Sequence, residues 1–179
     1  MIRSYLISTL SPMHLIIDGH NVLGRRGLMG PAMEAAREAL LRELTEYRQQ
    51  KGHALTVVFD GWRGGLGTEH HEHRAGVLVI YSKRGERADQ VIQRLAADYG
   101  GDCTVVTSDR EIIEAARTHG AFTISADEFV AKLKAAVHPR RDDTPGDRDT
   151  PAMRRPDKRG NPRKLPKAQR RRNRFLRGF

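Results

Sequence analysis

The sequence predicts an α/β fold in three layers, with an open parallel sheet covered by helices on both faces and a disordered basic tail behind it. Three observations carry this expectation. Short apolar runs alternate with segments of helical period, most connections between them are short, and composition changes abruptly at residue 138.

Residues 14–18 (HLIID) form an apolar run that ends on an acid, and residues 55–60 (LTVVFD) repeat the design with more β-branching. Both read as buried parallel strands. Between them Met33, Ala36, Leu40, Leu44 and Tyr47 recur at helical spacing, with Pro31 suited to the first turn and Gly52 to the end. Residues 77–82 (VLVIYS) make a third strand. A helix follows with an expected buried stripe of Val91, Ile92, Leu95 and Tyr99, stopped by Gly100 and Gly101. Residues 103–107 (CTVVT) are the fourth strand, and Ile112, Ile113 and Ala116 mark the next helix, ending near Gly120. A short fifth strand over 122–125 and a last helix over 126–137 complete the domain. Residues 61–76 carry several glycines and no helical period, and read as a long irregular loop at a strand end, where open α/β sheets bind ligands.

The chain has 179 residues and a net charge of +10, all of it in the last 42 residues. Residues 1–137 balance 17 Lys/Arg against 17 Asp/Glu, whereas residues 138–179 hold 15 against 5 and six of the eight prolines. A uniformly basic compact protein is thereby excluded, and the tail is expected to be a disordered RNA-binding arm. Residues 1–12 read as a disordered extension and Met13 as a candidate start, so the domain spans 13–137. No apolar stretch reaches membrane-spanning length. The single Cys103 excludes a disulfide scaffold and suits a reducing, cytoplasmic setting. Nothing in the sequence specifies an oligomeric state.

Asp18 and Asp60 each end an apolar strand and precede glycine, Asp89 begins the helix after the third strand, and Asp109 follows the fourth. Parallel strands share one C-terminal edge, so these four carboxylates converge in one crevice. Two unit charges about 4 Å apart repel by about 4 kcal/mol at an effective dielectric near 20. Protonation or a bound cation must offset that, and oxygen-only ligands select Mg²⁺ or Mn²⁺ over zinc. Metals so held activate water for in-line attack on a phosphodiester. Asp109 has a structural reading too, since Ser108 and Glu111 match a helix capping box. Ser125 and Glu128 match another, which makes Asp127 a first-turn charge. Arg25, Arg26, Arg63, Lys83, Arg84, Arg87 and Arg110 follow strand ends and rim the same crevice, an arrangement suited to a phosphate backbone held over metal ions.

Asp18-Gly19-His20-Asn21, Val57-Val58-Phe59-Asp60-Gly61, Tyr81-Ser82 with Gly85-Glu86-Arg87-Ala88-Asp89, and Thr107-Ser108-Asp109-Arg110 occur in order at successive strand ends. In this the sequence resembles the YacP-like branch of the NYN domain ribonucleases, over about residues 13–137, with the tail outside the domain pattern. The resemblance implies a PIN-like fold with strand order 3-2-1-4-5 and a metal-dependent endoribonuclease. By position it makes Asp18, Asp89 and Asp109 the metal-binding acids, with Asn21 ordering the site and holding substrate. Asp60 ranks behind them as a ligand. Ser108 and Asn21 would orient the ligands, His20 would touch substrate, and Arg25, Arg63, Lys83, Arg84, Arg87 and Arg110 would bind phosphates. Relatives of this branch are linked to ribosome-associated messenger RNA cleavage, which makes RNA and the ribosome the candidate partners.

Three rival readings follow from the same residues. His70, His71 and His73 with Glu69 and Glu72 suggest zinc or metal-free acid/base cleavage, although the spacing is unlike a structural zinc site and no cysteine accompanies it. Nucleotide binding of the Rossmann or P-loop type lacks its glycine motif at a strand-to-helix turn. A non-catalytic RNA- or ribosome-binding protein acting through the basic tail is the alternative from another class. The tail lacks an amphipathic helix or lipidation motif to hold a membrane.

Overall fold

The computed structural model describes residues 13–27, 32–61 and 67–137. Pro31, Arg63, the expected N-terminal extension and the basic tail lie outside these residues. The elements run β1 (His14–Asp18), α1 (Gly19–Arg25), α2 (Met33–Lys51), β2 (Ala54–Phe59), β3 (His70–Arg74), β4 (Val77–Tyr81), α3 (Ala88–Tyr99), β5 (Cys103–Val106), α4 (Arg110–Thr118), β6 (Phe122–Ile124) and α5 (Ala126–Val137).

They build one six-stranded sheet of order β3-β4-β2-β1-β5-β6, parallel except for β3. The five parallel strands keep the expected order 3-2-1-4-5. Strand residues alternate between two cores. Leu15, Ile17, Val57, Phe59 and Val79 pack with α2 and α5 on one face, whereas Ile16, Val58, Ile80 and Val105 pack with Val91, Ile92, Ile112 and Ala116 of α3 and α4 on the other. Both faces of every central strand are therefore apolar, as a parallel sheet between helical layers requires.

The expected loop over 61–76 is corrected in its second half. His70–Arg74 pairs antiparallel with β4, and the two-residue connection places both Ala75 (φ 48°) and Gly76 (φ 85°) in the left-handed region. That is the signature of a type I′ hairpin turn, whose twist matches its strands. The strand escapes recognition because it has no apolar face: every side chain is polar and none is buried. Such charge on an edge strand also discourages pairing with another chain.

Two smaller expectations change. Tyr99 is 42% exposed, and Ala96 takes its place in the buried stripe of α3. The short helix α1, directly after β1, has no distinct apolar period to announce it. Gly52 ends α2 as expected, in the left-handed conformation (φ 71°). Cys103 is buried, and desolvation pushes its thiol up to about 11, so it belongs to the core rather than to redox chemistry. Among the described residues no helix is long and apolar enough to cross a membrane.

Candidate active site

The strand order reverses about β1: the chain moves from β1 to β2 on one side and later crosses to β5 on the other. Ligands of open α/β sheets bind outside the strand ends at such a point. Asp18 ends β1 there, and the segment Thr107-Ser108-Asp109 ends β5 beside it.

Asp18 is 5% exposed. Its Oδ1 accepts the backbone N–H of Asn21 at 3.0 Å, capping α1, and its Oδ2 accepts the Thr107 hydroxyl at 3.0 Å. Burial nevertheless raises its pKa above the ordinary carboxylate value. The charge of Asp89 adds to the rise, while the two hydrogen bonds and His20 oppose it. A buried strand-end carboxylate that is costly to ionise, facing a second carboxylate, is an unusual expense for a fold that gains nothing chemical from it.

Thr107 has no role in the sequence reading, and it is the hub of this arrangement. Fully buried, it donates to Asp18, and its Oγ1 accepts the Asp109 N–H at 3.1 Å. One hydroxyl thus joins the end of β1 to the start of α4. Asn21 makes the second joint: its Oδ1 accepts the Ser108 N–H at 3.0 Å. A threonine two residues before the acid of a strand-to-helix turn is the available signal.

The capping box expected from Ser108 and Glu111 is not formed. Asp109 itself caps α4, accepting the Glu111 N–H at 2.8 Å, while the Ser108 hydroxyl accepts the Ala126 N–H at 3.1 Å and holds the start of α5. In the second box Ser125 Oγ accepts the Glu128 N–H at 3.2 Å, as its spacing predicts. Asp127 is a first-turn charge paired with Arg25 at 3.5 Å.

Asp60 reaches across to α3, where its Oδ1 accepts the Ala88 N–H at 2.6 Å. It thereby adds to the local cap of α3, in which Gln90 Oε1 accepts the Arg87 N–H at 3.1 Å, and fixes the residue preceding Asp89. His20 lies against it, with Nδ1 3.4 Å from the Asp60 N and 3.5 Å from its Oδ2. A neutral ring accepts the amide there, and a protonated ring pairs with the carboxylate. Because an amide carbonyl can accept the same N–H, Asp60→Asn is expected to keep activity within severalfold. Asp60→Ala should lose roughly 10- to 100-fold and about 1 kcal/mol of stability. Paired rate and melting measurements check this, and an Asp60→Asn variant as inactive as Asp60→Ala would make Asp60 a ligand instead.

The expected cationic rim is only partly a rim. Arg26 is turned inward onto Glu43 in a two-pronged ion pair (3.0 and 2.7 Å), Arg25 pairs with Asp127, and Arg87 pairs with Asp89. Lys83, Arg84 and Arg110 are exposed around the crevice. The loop histidines lie on or beside β3, where His70 meets Glu72 at 3.0 Å and His71 meets Glu69 at 3.1 Å.

Among the described residues no three acidic, histidine or cysteine side chains already stand together as a metal cage. Asp18 and Asp89 nonetheless feel each other's charge, and Asp89 has Arg87 as its counter-charge. Two carboxylates with water completing the shell suit Mg²⁺, which dehydrates reluctantly and uses few protein ligands. The donor chemistry of the pair thus fits a hard divalent cation.

A three-layer α/β fold with a buried acid, Asp18, at the switch point of its sheet is a PIN-like fold, of the nuclease type. The model of the YacP-like NYN domain matches residues 15–173, and the chain belongs to that family. It is 33% identical over 128 residues to the YacP protein of Bacillus subtilis (strain 168), covering 67% of this chain and 74% of that one. A crystal structure of Rae1 (YacP) from Bacillus subtilis superposes with a TM-score of 0.56 at 31% identity, covering 68% of this chain and 74% of the other. A point mutant of the same protein gives 0.58 at 30% identity, over 69% and 76%. The family match extends into the basic tail, as far as residue 173, well past the boundary at residue 137 expected from composition. Membership of this family supports ribonuclease activity in general.

Proposed function

We propose that this protein is a divalent-metal-dependent endoribonuclease that hydrolyses phosphodiester bonds of single-stranded RNA and leaves a 5′-phosphate. The observation that carries the reading is Asp18: a carboxylate buried at the switch point, raised in pKa, held by Asn21 and Thr107, and set against Asp89. Asp18 and Asp89 would hold Mg²⁺ or Mn²⁺, and Asp109 would complete the site directly or through water. When bound, the cation would supply an activated water and neutralise charge developing on the leaving oxygen.

The chain's own residues do the rest. Thr107 and Asn21 keep Asp18 and the Asp109 turn in fixed relation, so the acids need little rearrangement when substrate arrives. Asp60 sets the start of α3 and with it Asp89. Lys83, Arg84 and Arg110, exposed at the rim, meet backbone phosphates, and the tail adds a nonspecific, salt-sensitive attraction for RNA. The ribosome fits as a partner because it would present RNA to a chain whose basic charge is confined to one arm. A cytoplasmic location accords with the lone buried cysteine.

Cleavage of a labelled single-stranded RNA tests the reading. Cutting with Mn²⁺ or Mg²⁺ is expected, abolished by EDTA and reduced at least 10²- to 10³-fold by Asp89→Asn, on the scale of losing one electrostatic stabiliser. Cutting that survives EDTA and Asp89→Asn would overturn the metal mechanism. Binding without cutting, by wild type and variant alike, would favour the non-catalytic alternative in which the basic tail acts.

A further inference from the structure

A row of rings crosses the sheet beside the acids. Cross-strand register sets Phe59 of β2 opposite Tyr81 of β4, and Tyr81 opposite His70 of β3, all at the sheet edge where Asp18 and Asp60 lie. Phe59 and Tyr81 stack with centroids 6.0 Å apart and planes 25° from parallel. Tyr81 and His70 repeat this at 6.0 Å and 27°. The inner end of the row touches the acid site, because His20 lies edge-on to Phe59 at 5.6 Å and also meets Asp60. Exposure rises outward: Phe59 is fully buried, Tyr81 partly buried, and the His70 side chain half exposed on the last strand of the sheet.

Two features set this row apart from ordinary core packing. The Arg37 guanidinium lies over both Phe59 (5.0 Å) and Tyr81 (5.5 Å), placing a cation along the row. The outermost ring is also held in place: Glu72 takes His70 Nε2 at 3.0 Å, and Arg74 steadies Glu72 at 3.0 Å. An exposed histidine that served only as a surface charge would need no ordered platform beneath it.

We propose that His70, backed by Tyr81, is a stacking subsite for a base of single-stranded RNA, a short way along the strand from the scissile phosphate. The inference rests on the ribonuclease reading and adds to it a contact to base rather than to phosphate. A base laid on the outer face of His70 continues the row. Stacking is tolerant of sequence, because every base has a π face, and an ordered platform costs little entropy to engage. Lys83 and Arg84, exposed just after Tyr81 in the chain, are the cations that would meet the backbone of that nucleotide.

Binding tests this separately from cleavage. The full chain carrying Asp89→Asn, in EDTA so that residual metal-dependent cutting is suppressed, is titrated with single-stranded RNA containing 2-aminopurine, at raised salt to weaken the tail's phosphate contacts. His70→Ala and Tyr81→Leu are each expected to raise Kd by roughly 5- to 100-fold, the scale of one stacked base, and to abolish fluorescence quenching. His70→Phe should retain both, and an RNA abasic at the labelled positions should bind all variants alike. Unchanged Kd and quenching in His70→Ala overturn the proposal, as does an equal loss with the abasic strand or no RNA binding at all. His70 is half exposed, so its variant answers even if Tyr81→Leu fails to fold. Base-dependent binding without any cleavage by the wild type would remove the hydrolytic reading and leave the subsite standing. Metal-dependent cleavage with no His70 effect would do the reverse.

Discussion

Asp18→Asn is expected to make the protein more stable at neutral pH while removing at least 10²- to 10³-fold of its activity. The structural reason is that asparagine caps a helix as well as aspartate does: its oxygen can still accept the Asn21 N–H, and its NH2 can donate to Thr107 Oγ1 once that hydroxyl turns its own proton away, so little packing is lost. What disappears is the cost of ionising a carboxylate that burial holds above its ordinary pKa. A folded-state pKa above the unfolded one favours the neutral acid in the folded chain. Stability from that source is complete below the unfolded value, near pH 4, and is lost as pH rises through the folded value. At pH 7 the wild type therefore carries a penalty that the Asp18→Asn variant escapes, about 0.5–2 kcal/mol on the usual scale of stabilising substitutions. Melting curves should show the variant ahead by a few degrees at pH 7 and the gap closing toward pH 4. Added Mg²⁺ should narrow the gap at pH 7 by stabilising only the wild type. A variant less stable at pH 7, or one that still cleaves, would mean that Asp18 is a structural cap.

The arrangement behind that prediction is partly legible in the chain. Asp18, Asp89 and Asp109 stand at strand ends or helix starts that apolar patterning locates, and parallel topology then brings those ends to one edge. The five parallel strands can be anticipated from the same patterning, whereas their order follows from the family resemblance. The joints are hidden. Thr107 donating to Asp18 across 89 positions, and Asp60 capping a helix 28 positions away, are long-range hydrogen bonds that no local period encodes. Ser108 shows how a local rule misleads: it has the right spacing for one helix cap and makes the cap of a different helix. Strand β3 goes unseen because period-2 reasoning needs a buried face, and an edge strand wet on both sides has none. The cationic rim is overcounted because sequence places Arg26 after a strand but cannot show it turned onto Glu43.

Gly61→Ala should be the most damaging single methyl in the domain. A Cβ on Gly61 would sit 1.9 Å from the backbone oxygen of Ser82, an atom that cannot swing aside as a flexible side chain could. The same glycine donates its N–H to Ser82 Oγ at 3.1 Å, and the Ser82 N–H donates to the Phe59 carbonyl at 3.0 Å, so β2 and β4 are tied by bonds on both sides of the clash. Relief requires the two strand ends to part. That strains the Asp60 bond to Ala88 and displaces α3 with Asp89. The expected cost is about 3 kcal/mol, the upper range for overpacking a well-filled site, with activity falling further than the lost folded fraction explains. Gly67→Ala is the matched control. Among the described residues nothing lies within 4 Å of its would-be Cβ, and its backbone is not in the left-handed region, so melting temperature and rate should stay near wild type. Denaturant midpoints and single-turnover rates on the two variants decide the matter. Equal stability would show that the ends of β2 and β4 can separate freely, and would remove the mechanical link between this sheet edge and the acids.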